Sequence, residues 1–199
     1  MNKWIAFDVG TEYTGYAIYK EVRNAPQLLE HGVIHINGKY AKDRFPEMVT
    51  FFSETIIKNN PNAIVVEDFY GGKSFNSIKY LAKLQGVIEG FCALQGIKWI
   101  SIAASSWRSG CGFHTGRKKN GQDMDKRADY KALAKEFASN IAEESIESED
   151  EADAICIGYG AYYKEKEKEV ILQKKKEKER LQKERLQKER TGKRGKKKC

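Results

Sequence analysis

Lys3-Trp4-Ile5-Ala6-Phe7-Asp8-Val9-Gly10-Thr11-Glu12-Tyr13-Thr14-Gly15-Tyr16-Ala17-Ile18-Tyr19-Lys20 decides the fold. Lys3 to Phe7 is a short apolar run ending at Asp8, Val9 to Gly15 supplies turn residues, and Tyr16 to Lys20 returns to β-type residues, which predicts a hairpin. Leu28 to Ile36 adds a third strand. The period then changes. In Arg44 to Asn59 the apolar residues Phe45, Met48, Phe51, Phe52, Ile56 and Ile57 recur at helical spacing, and Asn59-Asn60-Pro61 stops the helix. Ala63 to Val66 is a four-residue apolar run closed by Glu67, as expected of a buried strand. Gly71 and Gly72 mark a loop, and Ser74 to Gln95 reads as a second helix with Ser74 as N-cap. That helix is apolar on two sides: Ile78, Leu81 and Ile88 on one, Tyr80, Leu84, Val87 and Phe91 on the other. One side can cover a sheet, and the other needs a partner subunit or a neighbouring helix. Ile97 to Ile102 is a fifth strand, and Trp107 to Asp125, rich in Gly and charge, reads as a long loop. Arg127 to Asn140 and Asp150 to Tyr163 are helical. A hairpin start followed by alternating helices and strands implies an α/β fold, a mixed five-stranded sheet with helices on both faces.

The 199 residues are 40% hydrophobic, enough for one core plus an appendage. No apolar run approaches the length that spans a bilayer, and no secretory signal is visible at the start. Cys92, Cys111, Cys156 and Cys199 have neither metal-like nor paired spacing, so free thiols in a reducing cytoplasm are expected. The formal charge of +8 is unevenly placed. Lys164 to Cys199 carries 17 Lys and Arg against 7 Glu, while the rest of the chain is close to neutral. The organisation expected is therefore a body over 1–163 and a lysine-rich tail over 164–199. The tail reads as a solvated helix held by Glu–Lys pairs three and four residues apart, with disorder from Thr191 to Cys199. Its charge suits either sequence-independent contact with DNA phosphates or simple solubilisation.

Acidic residues stand at telling positions. Asp8 ends the first strand, Glu67 ends the fourth, and Asp150 and Asp153 lie nearly one turn apart at the start of the last body helix. Such positions gather at one rim of a sheet. Four carboxylates there repel strongly unless something neutralises them, and hard divalent cations with oxygen ligands do so. A pair of such ions ~4 Å apart suits hydrolysis of a phosphodiester. Taken singly, Asp8 also fits a turn residue, and Asp150 and Asp153 also fit helix N-terminal charges. Asp68, Glu147, Glu149 and Glu151 read as solvated neighbours, and His114 as a lone loop histidine.

Ile5-Ala6-Phe7-Asp8-Val9-Gly10 with Thr14-Gly15, then Val65-Val66-Glu67, then Asp150-Glu151-Ala152-Asp153-Ala154 resemble the RuvC family of Holliday junction resolvases. Lys73, Ser77, Leu81 and Gly86 also fit the family pattern. The small size and basic tail resemble phage-borne members, such as those of lactococcal phages. The resemblance implies an RNase H-like fold and a structure-selective endodeoxyribonuclease acting on Holliday junctions and other branched DNA. It implies Asp8, Glu67, Asp150 and Asp153 as catalytic ligands of Mg²⁺, with Mn²⁺ substituting. Tyr70 falls where the family has an aromatic wedge at the branch point, and a buried Tyr fits the position too. Arg108 falls at a family basic position, and Lys126 and Lys131 both qualify for a second. Lys73, Arg117, Lys118 and Lys119 complete the expected DNA contacts, although the 112–125 loop departs from the cellular enzymes. A homodimer built on the helix around Ser77 to Gln95 is implied, in the cytoplasm of a bacterial host.

Two other classes compete. A resolvase-like body could bind branched DNA without cutting, which the presence of all four carboxylates opposes. The Asp8 to Gly15 turn also resembles the first phosphate motif of actin-like and sugar-kinase-like ATPases, but those need a second Gly-rich phosphate turn, which this chain lacks.

Overall fold

A computed structural model describes residues 1–68, 75–113 and 126–195. The strands are β1 (Lys3–Asp8), β2 (Tyr13–Val22), β3 (Ala25–His35), β4 (Ala63–Glu67) and β5 (Lys98–Ile102). The helices are α1 (Ala41–Asn59), α2 (Phe75–Gln95), α3 (Ala104–Gly110), α4 (Lys126–Ala142) and α5 (Glu149–Gly195). The described strands form one sheet in the order β3-β2-β1-β4-β5. β1 pairs antiparallel with β2 and parallel with β4, and β4 pairs parallel with β5. The mixed α/β sheet expected from the sequence is thus present.

Period-two alternation splits the core into two layers. Trp4, Ala6, Tyr19, Val65 and Ile100 face one layer, with Ala134 and Ala138 of α4 and Ala154, Ile155 and Ala161 of α5. Ile5, Phe7, Ile18, Ile64 and Val66 face the other, with Met48, Phe52 and Ile56 of α1 and Leu81, Leu84 and Ile88 of α2. α1 stops at Asn60, which takes the left-handed conformation (φ 44°) and donates its N–H to Ile56 O.

Close contacts seat α5 on the sheet. Trp4 stacks between Tyr19 and Tyr162, each ring 5.3 Å away, and donates its indole N–H to Gly158 O at 3.0 Å. Tyr19 donates its hydroxyl to Ile155 O at 2.8 Å. A Cβ on Gly158 would fall 2.5 Å from the Tyr19 ring. A Cβ on Gly15 would fall 1.8 Å from Asp150 O, so the first turn of α5 rests on β2 at a position only glycine can occupy.

Four expectations need correction. Leu84 is buried beside Leu81 and Ile88, so it belongs to the core side of α2 and not to the second side. Residues from Trp107 to Gly110 are not loop: they end α3, because the Trp107 indole is buried in the sheet–α5 layer. The last body helix does not end at Tyr163, since α5 is one helix to Gly195. Thr191 to Gly195 are therefore helical and not disordered, because extending an existing helix adds a hydrogen bond for each residue fixed.

By internal contacts the chain divides into two compact units, Met1–Tyr162 and Tyr163–Cys199. Within the second unit, Lys164–Glu167, Lys168–Glu165 and Arg180–Glu177 form ion pairs three residues apart. Among the described residues no helix is long and apolar enough to cross a membrane.

Gly15→Ala forces backbone apart where no side chain can yield. It is expected to lower unfolding stability by about 1–3 kcal/mol, read from urea melts.

Candidate active site

β1 and β4 are adjacent and parallel, so Asp8 and Glu67, their last residues, emerge at one end of the sheet. The chain turns sharply after Asp8. Thr14, fully buried, accepts the Gly10 N–H on its hydroxyl at 3.2 Å, and a Cβ on Gly10 would fall 1.8 Å from Tyr13 O. Gly15 lies opposite Asp8 in the β1–β2 register and touches the Asp150 backbone. That contact brings the start of α5 to the strand end that carries Asp8. Gln85 of α2 donates to Glu67 O at 3.0 Å and fixes the other strand end.

Asp153 reports the electrostatics of this rim. Its carboxyl is pushed up to about 7, first by burial, then by the negative charges of Glu67 and Asp150, with Arg108 and Lys131 pulling the other way. Arg108 sits between two rings, its guanidinium carbon 4.9 Å from the Trp107 ring centre and 4.6 Å from that of Tyr130. Its Nε is buried without a hydrogen-bond partner. Lys131 is ion-paired with Glu149.

The structure thus brings the expected carboxylates to one end of the sheet, with Arg108 and Lys131 beside Asp153. Among the described residues, no three acidic, histidine or cysteine side chains converge in a ready-made metal cage. The chemistry of the donors still suits a hard cation. They are carboxylate oxygens, and their mutual repulsion, felt at Asp153, is what a divalent ion relieves. Tyr70, Lys73, Arg117, Lys118 and Lys119 lie outside the described residues, as do Ser74, His114 and the Gly71-Gly72 loop. Lys126 opens α4, but its side chain also lies outside them.

Sequence reasoning missed the support behind the site. Glu151 is not a solvated neighbour: its side chain is 17% exposed and lies 2.8 Å from His31 Nδ1, which ties β3 to the first turn of α5. Glu149 is paired with Lys131, and Asp68 accepts a hydrogen bond from Ser101. No local pattern links His31 to Glu151 or Arg108 to Tyr130, because the partners are far apart in the chain.

Comparison with known proteins identifies the family and the fold. The family model described as "Crossover junction endodeoxyribonuclease RuvC" matches residues 5–158. The chain belongs to the RuvC family. A RuvC of Bdellovibrio bacteriovorus, named a crossover junction endodeoxyribonuclease, is 26% identical over 171 residues, covering 85% of this chain and 95% of that protein. Among solved structures, T. thermophilus RuvC in complex with a Holliday junction substrate superposes with a TM-score of 0.64 at 14% identity, covering 82% of this chain and 95% of that one. The yeast mitochondrial Holliday junction resolvase superposes with a TM-score of 0.55 at 14% identity, covering 81% and 78%. These likenesses confirm the RNase H-like architecture of the RuvC fold.

The raised Asp153 carboxyl has a thermodynamic consequence. Asp153 titrates near its ordinary value of 3.8 when unfolded and at about 7 when folded, so metal-free protein loses stability as pH rises across that window. In EDTA, Asp153→Asn is therefore expected to melt a few degrees above wild type at pH about 8 and alongside it at pH about 4. A variant that melts below wild type at the higher pH would contradict the electrostatics described.

Proposed function

We propose that the protein is a metal-dependent endodeoxyribonuclease that resolves Holliday junctions and related branched DNA. The observation that carries the reading is the meeting of two parallel strand ends, Asp8 and Glu67, with the α5 turn bearing Asp150 and Asp153. Family membership and relatives named as junction resolvases support it.

In this reading Asp8, Glu67, Asp150 and Asp153 hold Mg²⁺, with Mn²⁺ as a substitute. The bound cation supplies Lewis-acid polarisation of the phosphodiester and neutralises developing charge. The chain's own residues prepare the rim. Asp153 would have to be deprotonated to hold a cation, and Gly15 and the His31–Glu151 contact keep its helix turn in place. Arg108, gripped by two rings, sets a fixed positive charge beside the acids. Water attacks phosphorus in line and loses a proton to solvent, the bond to the 3′ oxygen breaks, that oxygen takes a proton from solvent, and the products carry 5′-phosphate and 3′-hydroxyl ends.

The body over 1–163 is the nuclease and 164–199 a basic tail that contacts phosphates. Tyr70 acts as the branch-point wedge, while Lys73, Arg108, Arg117, Lys118, Lys119, Lys126 and Lys131 face DNA. A homodimer through α2 presents two sites to two strands. An exposed strip supports this: Val87 and Leu94 are solvent-facing, and a Cβ on Gly86 or Gly90 would meet open space. The chain is of the phage-borne type and works in the cytoplasm of a bacterial host.

Synthetic four-way, three-way and linear duplex DNA, each with Mg²⁺ or EDTA, test the reading. Metal-dependent cutting of the four-way substrate is expected, and Asp8→Asn or Glu67→Gln should abolish cutting by several orders of magnitude while sparing binding. Full cutting by either variant would show that the site is misassigned, and binding without cutting by wild type would favour a non-cleaving junction binder. Truncation after Tyr163 should weaken binding and reduce its salt dependence while metal-dependent cutting persists. An unchanged salt slope would remove the tail from the account.

A further inference from the structure

Three residues beyond Asp8, the β1–β2 turn borders a cavity of about 440 Å³ lined by Thr11, Tyr40, Lys42, Arg44, Lys79 and Tyr80. Arg44 is buried and spent within the fold. Its Nε donates to Thr11 O at 2.5 Å, its guanidinium also donates to Gly38 O, and one terminal nitrogen lies 3.8 Å from the Glu12 carboxylate. It therefore fixes the turn that follows Asp8 against the start of α1.

The other cations point outward. Lys42 and Lys79 are exposed, and among the described residues neither pairs with a carboxylate. Two tyrosines carry ammonium groups on their faces. The Tyr40 ring has Lys39 Nζ at 5.3 Å and Lys42 Nζ at 5.5 Å, and the Tyr80 ring has Lys83 Nζ at 5.4 Å. Tyr40 is 52% exposed. The nearby acids are engaged: Asp43 accepts the Tyr40 N–H at 3.2 Å, and Glu12 faces Arg44 and His35.

A concave, lysine-rimmed site beside the half-exposed Tyr40 ring suits a ligand that combines negative charge with a flat ring, which would take the place of the ammonium groups on that ring. We propose that this cavity binds a backbone phosphate and the adjoining base of the DNA strand entering the Asp8 site, with Lys42 and Lys79 on the phosphate and Tyr40 stacked on the base. The inference rests on the nuclease reading above and assigns part of its DNA track to the α1 side of the sheet end. A second copy of the chain fits this surface less well, because a two-fold contact would set the same unpaired lysines against each other.

The test uses the full chain and a fluorescein-labelled synthetic four-way junction. Binding is followed by anisotropy in EDTA across a KCl series, and cutting is followed with Mg²⁺. Lys42→Ala with Lys79→Ala should raise Kd about tenfold at about 0.1 M KCl, lower the salt slope by about one to two, and raise KM for cutting. Tyr40→Ala should weaken binding several-fold with the salt slope unchanged, since stacking releases no counterions. Lys42→Arg with Lys79→Arg should retain the wild-type slope. Wild-type Kd and slope in the double-alanine variant, or a changed oligomeric state by light scattering, would overturn the proposal. Wild-type cutting alongside unaltered binding by that variant would overturn this inference alone. Absence of wild-type cutting would overturn the nuclease reading and this inference with it.

Discussion

The first turn of α5 rests on Gly15, and the rest of the site depends on that contact. Backbone oxygen of Asp150 occupies the space a side chain would fill. Because Gly15 pairs across the hairpin with Asp8, the contact converts a long separation in sequence into adjacency at one strand end. The remaining supports serve the same seating: Trp4 stacked between Tyr19 and Tyr162, the Tyr19 hydroxyl on Ile155 O, and Glu151 against His31. Interiors are packed densely enough that a helix so wedged has little freedom to retreat.

Seating a helix of acidic first turn on an acidic strand end has an electrostatic cost. Asp153 carries it, as the raised carboxyl shows. Arg108 and Lys131 offset part of the repulsion, and a divalent cation would offset the rest. A fold that tolerates such repulsion gives up stability at neutral pH. The Arg108 guanidinium, beside the rings of Trp107 and Tyr130, keeps its charge in place although its Nε donates no hydrogen bond.

The basic groups fall into separate sets. The tail supplies charge along a solvated helix, where Glu–Lys pairing spends part of it internally. Lys42 and Lys79 border a cavity beside the Asp8 turn, with tyrosine faces alongside. Around that cavity Asp43 and Glu12 are engaged by backbone and by Arg44 and His35, so the lysine charge there is not offset by them.

The sequence by itself determined the strand and helix order, the mixed α/β class with helices on both faces of the sheet, and the strand-end placement of Asp8 and Glu67. These follow from local rules: period two or 3.6, and turn residues after short apolar runs. It also marked Asp150 and Asp153 as one helix face. Only the tertiary structure decided what surrounds them. Leu84 belongs to the core because α2 rotates to bury it, and Trp107 turns an expected loop into a helix by anchoring it. Glu151 exchanges solvent for His31 from a strand far back in the chain. Such pairings leave no periodic trace, because they are set by which surfaces pack together and not by the spacing of neighbours along the chain.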